Sequence, residues 1–111
     1  MTEQNHAYVF LQNLPDLLPD VPADSILSRS LYKDERINVT LFAFAAGQEL
    51  TEHTSAQPAI LHIIRGEADL TLGTDDRTAE PGSWVYMAPH LAHSIVARTP
   101  LVMLLTLIKD G

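Results

Sequence analysis

The stretch "GQELTEHTSAQPAILHIIRG", residues 47–66, holds two of the five histidines between two glycines, and its reading decides the fold. Its second half, "AILHIIR", is rich in β-branched residues and bounded by Pro58 and Gly66, the composition of a strand that ends in a turn. "EADLTLG" follows and alternates Ala68, Leu70 and Leu72 with Glu67, Asp69 and Thr71, so the two segments read as paired neighbours turning at or near Gly66. Upstream, "INVTLFAFA" over residues 37–45 alternates Ile37, Val39 and Leu41 with Asn38 and Thr40, then becomes apolar on both sides at Phe42 and Phe44. That pattern describes a strand entering a core with two covered faces. Further strands are expected over residues 25–32, 83–87, 93–98 and 101–109, separated by "GTDD", "EPG", "APHLA" and "TP".

Beyond residue 30 no segment keeps a 3.6-residue apolar period between caps, so the chain reads as all-β, a sandwich or barrel of short strands. Residues 9–23, "VFLQNLPDLLPDVPA", differ: three prolines break any helix while the leucines still call for burial. Residues 1–24 are therefore expected to form an N-terminal arm, irregular or an added strand, lying against a barrel of residues 25–111 or against a second subunit.

A length of 111 residues suits one domain with one core. The formal charge of −7 opposes attraction to nucleic acid and to anionic membranes, and the seven bases are scattered rather than striped. The longest apolar run, "LVMLLTLI", falls well short of the ~20 residues of a membrane-crossing helix. "MTEQNHAYVF" has no secretory-signal pattern, and a cytoplasmic location is the expectation. The absence of cysteine leaves imidazole and oxygen as the available metal ligands.

On a strand, residues two apart share a face, so a metal-binding barrel can aim both rings of a His-x-His pair inward. Here those positions read His53, Thr54, Ser55. An acidic residue completing such a set belongs six residues after the first histidine, where this chain has Ala59. A last ligand from a later strand corresponds to His93, which follows "PGSWVYMAPHLA".

With these residues in view, the chain resembles the cupin superfamily. The first cupin motif runs Gly, five residues, His-x-His, three or four residues, Glu, six residues, Gly; Gly47, His53 and Gly66 match its frame, while Ser55 and Ala59 depart from it. The second motif resembles "PGSWVYMAPHLAHSI", in which Gly82 and His93 match, Pro89 is offset by one place and His90 stands where Gly or Asn is usual. The resemblance covers about residues 25–108 and implies a single-domain β-jelly-roll barrel with one internal pocket. It names no reaction, because cupins include dioxygenases, isomerases, epimerases, decarboxylases, sugar-binding domains and storage proteins.

The resemblance further implies His53 and His93 as the surviving members of a metal set for Fe, Mn, Ni or Zn. A third ligand could come from Gln57, which has a carbonyl oxygen, or from His62, which lies on the opposite parity unless a bulge intervenes. Ser55, Ala59, Trp84, Tyr86 and Met87 are candidates for the pocket wall. Each has a plainer reading: the histidines as pocket-lining hydrogen-bond partners, His62 as a packed strand residue, and the large side chains as ordinary core or interface. Asp75 and Asp76 fit an exposed hairpin turn better than a cation site, and His6 and His90 are expected in solvent. Three functions stay open: a metal-dependent enzyme of the oxygenase or isomerase class acting on a small organic molecule, a non-catalytic small-molecule binder using the same pocket without metal, or an interaction protein whose residual pocket has no ligand. A homodimer is the expected assembly.

Overall fold

Alternation along the chain sorts residues 7–109, the part described by the computed structural model, into nine strands in two antiparallel sheets. The strands are β1 (Ile26–Lys33), β2 (Ile37–Phe44), β3 (Glu49–His53), β4 (Ala59–Arg65), β5 (Ala68–Leu72), β6 (Asp75–Ala79), β7 (Trp84–Met87), β8 (His93–Ala97) and β9 (Leu101–Ile108). One sheet has the order β1-β2-β9-β4-β7 and the other β3-β8-β5-β6. The all-β jelly-roll expectation holds.

The inward faces follow from register. Phe44 opposes Leu101 and Phe42 opposes Met103 across β2 and β9, while Ala59, Leu61 and Ile63 alternate inward along β4. They meet Leu70, Ile95 and Ala97 from the other sheet in one apolar core. The outward face of the five-stranded sheet is apolar as well. Leu41 and Ala43 have outward parity, yet they are buried and lie outside that core. The arm crosses this face: Pro15, Leu18 and Val21 border a concavity of about 360 Å³ with Ala43 and Val102, and Arg29 Nη1 donates to the Leu17 carbonyl at 2.8 Å. Within the arm, residues 14–17 make a single 3-10 turn with a proline at its start, and no strand forms among its described residues.

Two turns are fixed by local chemistry. Gly66 has φ +85°, and a Cβ there would run into the Pro100 carbonyl, so the β4–β5 turn requires glycine. Between β1 and β2, Asp34 Oδ1 accepts from the backbone N–H groups of Arg36 (2.7 Å) and Ile37 (2.9 Å), and Oδ2 accepts from the Tyr32 hydroxyl (2.7 Å). The Tyr32 hydrogen bond, then the two backbone donors, hold this carboxyl at about 2, below its ordinary 3.8. The acidic pair Asp75 and Asp76 corrects the sequence expectation: both belong to strand β6, and Thr71 Oγ1 donates to Asp76 Oδ1 across the hairpin at 3.1 Å. The turn itself falls on residues 73–74.

Candidate functional site

Two five-residue crossings, 54–58 and 88–92, join the sheets at one end of the sandwich, and the site forms there. The first leads from His53, the last residue of β3, to Ala59, the first of β4; the second leads from Met87 to His93. The His90 N–H donates to the Ser55 carbonyl at 2.7 Å and ties the crossings together. His53 and His93 are direct partners in the β3–β8 ladder, after a register shift between Leu50 and His53. Their ring centroids lie 4.2 Å apart, with planes inclined by 59°.

Each ring is oriented by the same local device. His53 Nδ1 lies 2.8 Å from the Thr51 carbonyl oxygen, and His93 Nδ1 lies 2.9 Å from that of Leu91, each two residues earlier. A carbonyl only accepts, so each Nδ1 carries the proton and each neutral ring keeps its Nε2 lone pair free. A backbone carbonyl on the far nitrogen is also the usual support of a metal-binding imidazole. His93 is 8% exposed, whereas His53 lies open on an edge strand.

The other candidates divide. Ala59 faces inward, 4% exposed, on a cross-strand row with Met87 and Leu107. Ser55 is half-buried; its hydroxyl accepts from the Gln57 N–H at 3.1 Å and its carbonyl holds His90, so its polar groups organise the crossing. Gln57 lies in that crossing, half-buried. His62 is not brought to the pair: it alternates with the buried Leu61 and Ile63 and opposes Trp84 on the outward face. Trp84 and Tyr86 share that outward parity at 61% and 52% exposed. They border a separate concavity of about 460 Å³ with Leu72 and Arg77 and do not wall the histidine pair. Period-two alternation within β4 and β7 explains all three placements.

Among the described residues, no group of three or more His, Asp or Glu side chains could hold a metal ion. The donor set is therefore two imidazoles. Nitrogen donors of this kind suit Fe, Mn, Ni or Zn rather than Mg or Ca, and they leave the remaining coordination positions to water or to a bound molecule.

One polar residue of this end escaped the sequence reading. Asn38 shares the inward parity of Phe42 and Phe44 and stands opposite Leu107, on the row that continues to Ala59 and Met87. Its carboxamide oxygen is enclosed and has no hydrogen-bond partner among the described residues. In sequence, Asn38 reads as a polar residue on the solvent side of an alternating strand, because Ile37 and Val39 beside it look like the core face.

No helix of the described residues is long and apolar enough to cross a membrane. The chain matches no curated protein. Among solved structures it is similar to a cupin superfamily protein from Desulfitobacterium hafniense, at 25% identity and TM-score 0.82, over 87% of this chain and 88% of that one. A conserved protein of unknown function from Streptococcus pyogenes is similar at 27% identity and TM-score 0.81, over 97% and 92%. An RmlC-like cupin from Shewanella frigidimarina shares the fold at 15% identity and TM-score 0.76, over 96% and 94%. The cupin domain model matches residues 40–107, from the middle of β2 to the end of β9 and across both histidine-bearing crossings, and the chain belongs to the cupin family.

Proposed function

We propose that this cupin binds a small organic molecule at the His53–His93 pair, jointly with a divalent transition metal held by the two Nε2 atoms. The observation that carries this reading is the matched tethering of two adjacent rings, each with Nδ1 committed to a backbone carbonyl and Nε2 left as a bare donor at one mouth of the barrel. A metal bound there supplies a Lewis acid that polarises an oxygen of the bound molecule. The chain's own part is to hold that molecule against the apolar row of Ala59, Met87 and Leu107 and to limit its contact with water. Without a carboxylate beside the histidines, the arrangement favours binding and an isomerase-type polarisation over the two-histidine-one-carboxylate chemistry of iron oxygenases. The competing reading, a metal-free binder in which both Nε2 atoms accept hydrogen bonds from the ligand, rests on the same geometry.

Elemental analysis of untagged protein separates the two. Stoichiometric Fe, Mn, Ni or Zn in the wild type, lost in both His53→Ala and His93→Ala, supports the metal-assisted reading. Folded, metal-free wild type that takes up none of these ions on titration overturns it.

We infer further that the protein works in the cytoplasm as a homodimer paired through the outward face of the five-stranded sheet. Trp84 and Tyr86 are exposed there, and Tyr8 and Phe10 of the arm are 79% and 73% exposed. Exposed aromatic residues at both edges of this sheet support contact with a second copy.

A further inference from the structure

The inward side of β1 and β2 is polar towards the histidine end, as that of the edge strand β6 is at Asp75 and Arg77, which pair with Leu72 and Leu70. Ser30 opposes Thr40, and Lys33 opposes Asn38, after a bulge between Ser30 and Tyr32 that restores inward parity to Lys33. Directly paired residues share a face, so four polar side chains stand where the neighbouring strands β9 and β4 present Leu105, Leu107, Ala59 and Leu61. Position along the sandwich places this wall at the histidine mouth. β2 runs away from that end and β3 returns to it, so Asn38 near the start of β2 and His53 at the end of β3 lie at the same end. The Ile108 N–H donates to the Pro58 carbonyl at 2.9 Å, and Ile108 opposes Ile37, the neighbour of Asn38. The crossing from His53 thus meets the β2–β9 pair beside Asn38.

Asn38 carries a cost that packing does not explain. An enclosed carbonyl oxygen without a donor destabilises the fold, and an aliphatic residue of similar size would remove that penalty. The carboxamide nitrogen at the other end of the group is not enclosed, and it can donate to an oxygen of a ligand. Lys33 is exposed at the rim, and the ion pair formed among the described residues is Arg98–Asp69, away from this wall. In a chain of net charge −7, an anionic ligand needs such a local cation.

We propose that Asn38, Ser30, Thr40 and Lys33 form the second wall of the site and select a small polyhydroxylated carboxylic acid, its hydroxyls on Asn38, Ser30 and Thr40 and its carboxylate at Lys33. This rests on the small-molecule site proposed at His53 and His93.

The test is thermal unfolding and calorimetric titration of the full chain, loaded with Zn²⁺ or Mn²⁺ and metal-free, using D-gluconate, D-glucuronate and L-tartrate. D-glucitol controls for hydroxyls without carboxylate, and hexanoate for carboxylate without hydroxyls. At least one hydroxy acid is expected to raise the wild-type midpoint by more than about 4 °C at saturation, with neither control doing so. Asn38→Leu is expected to unfold at or above the wild-type temperature without ligand and to lose that shift. Lys33→Met, a change at an exposed position, keeps the fold and weakens the acid at least about tenfold. Both variants retain metal uptake, which depends on the histidines alone. Equal stabilisation by hexanoate or D-glucitol, no stabilisation by any of the three acids, or wild-type affinity in Lys33→Met overturns this proposal. If wild-type metal uptake survives that result, the two-histidine site stands without this wall; if uptake is also absent, the metal-assisted reading falls with it.

Discussion

His53 and His93 are cross-strand partners with ring centroids 4.2 Å apart, yet one stands on an exposed edge strand and the other is 8% exposed inside the barrel. Their shared Nδ1 tether to a backbone carbonyl and their unequal burial separate metal binding from stability. His93→Ala removes a buried ring and its hydrogen bond to the Leu91 carbonyl, and should cost about 1–3 kcal/mol. His53→Ala should stay within about 0.5 kcal/mol, as exposed substitutions usually do. Both should abolish Ni²⁺ or Co²⁺ uptake. Urea unfolding beside a spectroscopic metal titration checks the pattern; equal destabilisation, or metal uptake surviving in either variant, contradicts it.

Asp34 gives the fold a predictable acid response. Its folded carboxyl is lowered to about 2 by the Tyr32 hydroxyl and the Ile37 and Arg36 N–H groups, against an ordinary 3.8. A lowered acid contributes in full above its unfolded value, and the contribution fades as pH falls through the folded one. The midpoint difference between wild type and Asp34→Asn should therefore be largest above about pH 4 and shrink as pH falls towards 2. Thermal melts across that range read it directly, and a difference that grows on acidification would falsify the assignment.

The outward face makes a separate prediction. Trp84 and Tyr86 lie on β7, the edge strand of the five-stranded sheet, well exposed and of outward parity. Trp84→Glu should leave the monomer fold unchanged within about 0.5 kcal/mol while lowering the molar mass from dimer towards monomer in light scattering at micromolar concentration. A wild type that is monomeric throughout, or a variant that still pairs fully, removes the dimer reading for this face.

Much of the fold was legible because alternation, glycine turns and the two motif frames agree with one another, which is what a consistent sequence offers. The positions of β4, β5, β8 and β9 follow from patterns such as "AILHIIR" and "EADLTLG". β6 was not legible, since its exposed Asp75 and Asp76 carry turn-like composition while pairing with Leu72 and Thr71. β2 misleads for a different reason: Ile37, Val39 and Leu41 look like the core face, but the proline-broken arm supplies a second apolar layer outside, and the parity of Asn38 and Phe42 points in. Of the site, His53, His93 and Ala59 came from motif spacing. Asn38 did not, because an enclosed acceptor without a donor is a property of packing and leaves no local pattern.

Gly66 tests the turn that separates β4 from β5. At φ +85° an L side chain adds about 1–2 kcal/mol of strain, and the collision of a Cβ with the Pro100 carbonyl adds to it because backbone on both sides would have to move. Gly66→Ala should destabilise by at least about 2 kcal/mol, with no change in metal uptake by whatever fraction remains folded. Gly47→Ala is the control: its φ is +84°, but nothing lies within 4 Å of its Cβ position, so it should carry the strain alone. Similar losses in the two variants would show that the Pro100 contact is relieved cheaply.

Ala59 offers the sharpest test of the site as a reduced metal centre. It faces inward, 4% exposed, on the row that closes the histidine mouth, and it occupies the place where the cupin pattern carries a carboxylate. Ala59→Glu puts a carboxyl into apolar surroundings, which in the metal-free protein should cost of the order of 3 kcal/mol and favour the protonated acid. With Fe²⁺ or Mn²⁺ present the carboxylate becomes a third ligand, and affinity should rise at least about tenfold, since even an outer-shell partner is worth that much. Stability should then recover on metal addition and fall again with chelator, the linkage expected when only the folded state binds. A destabilised variant that gains neither affinity nor metal-dependent stability would mean that His53 and His93 do not converge on a point the residue-59 side chain can reach.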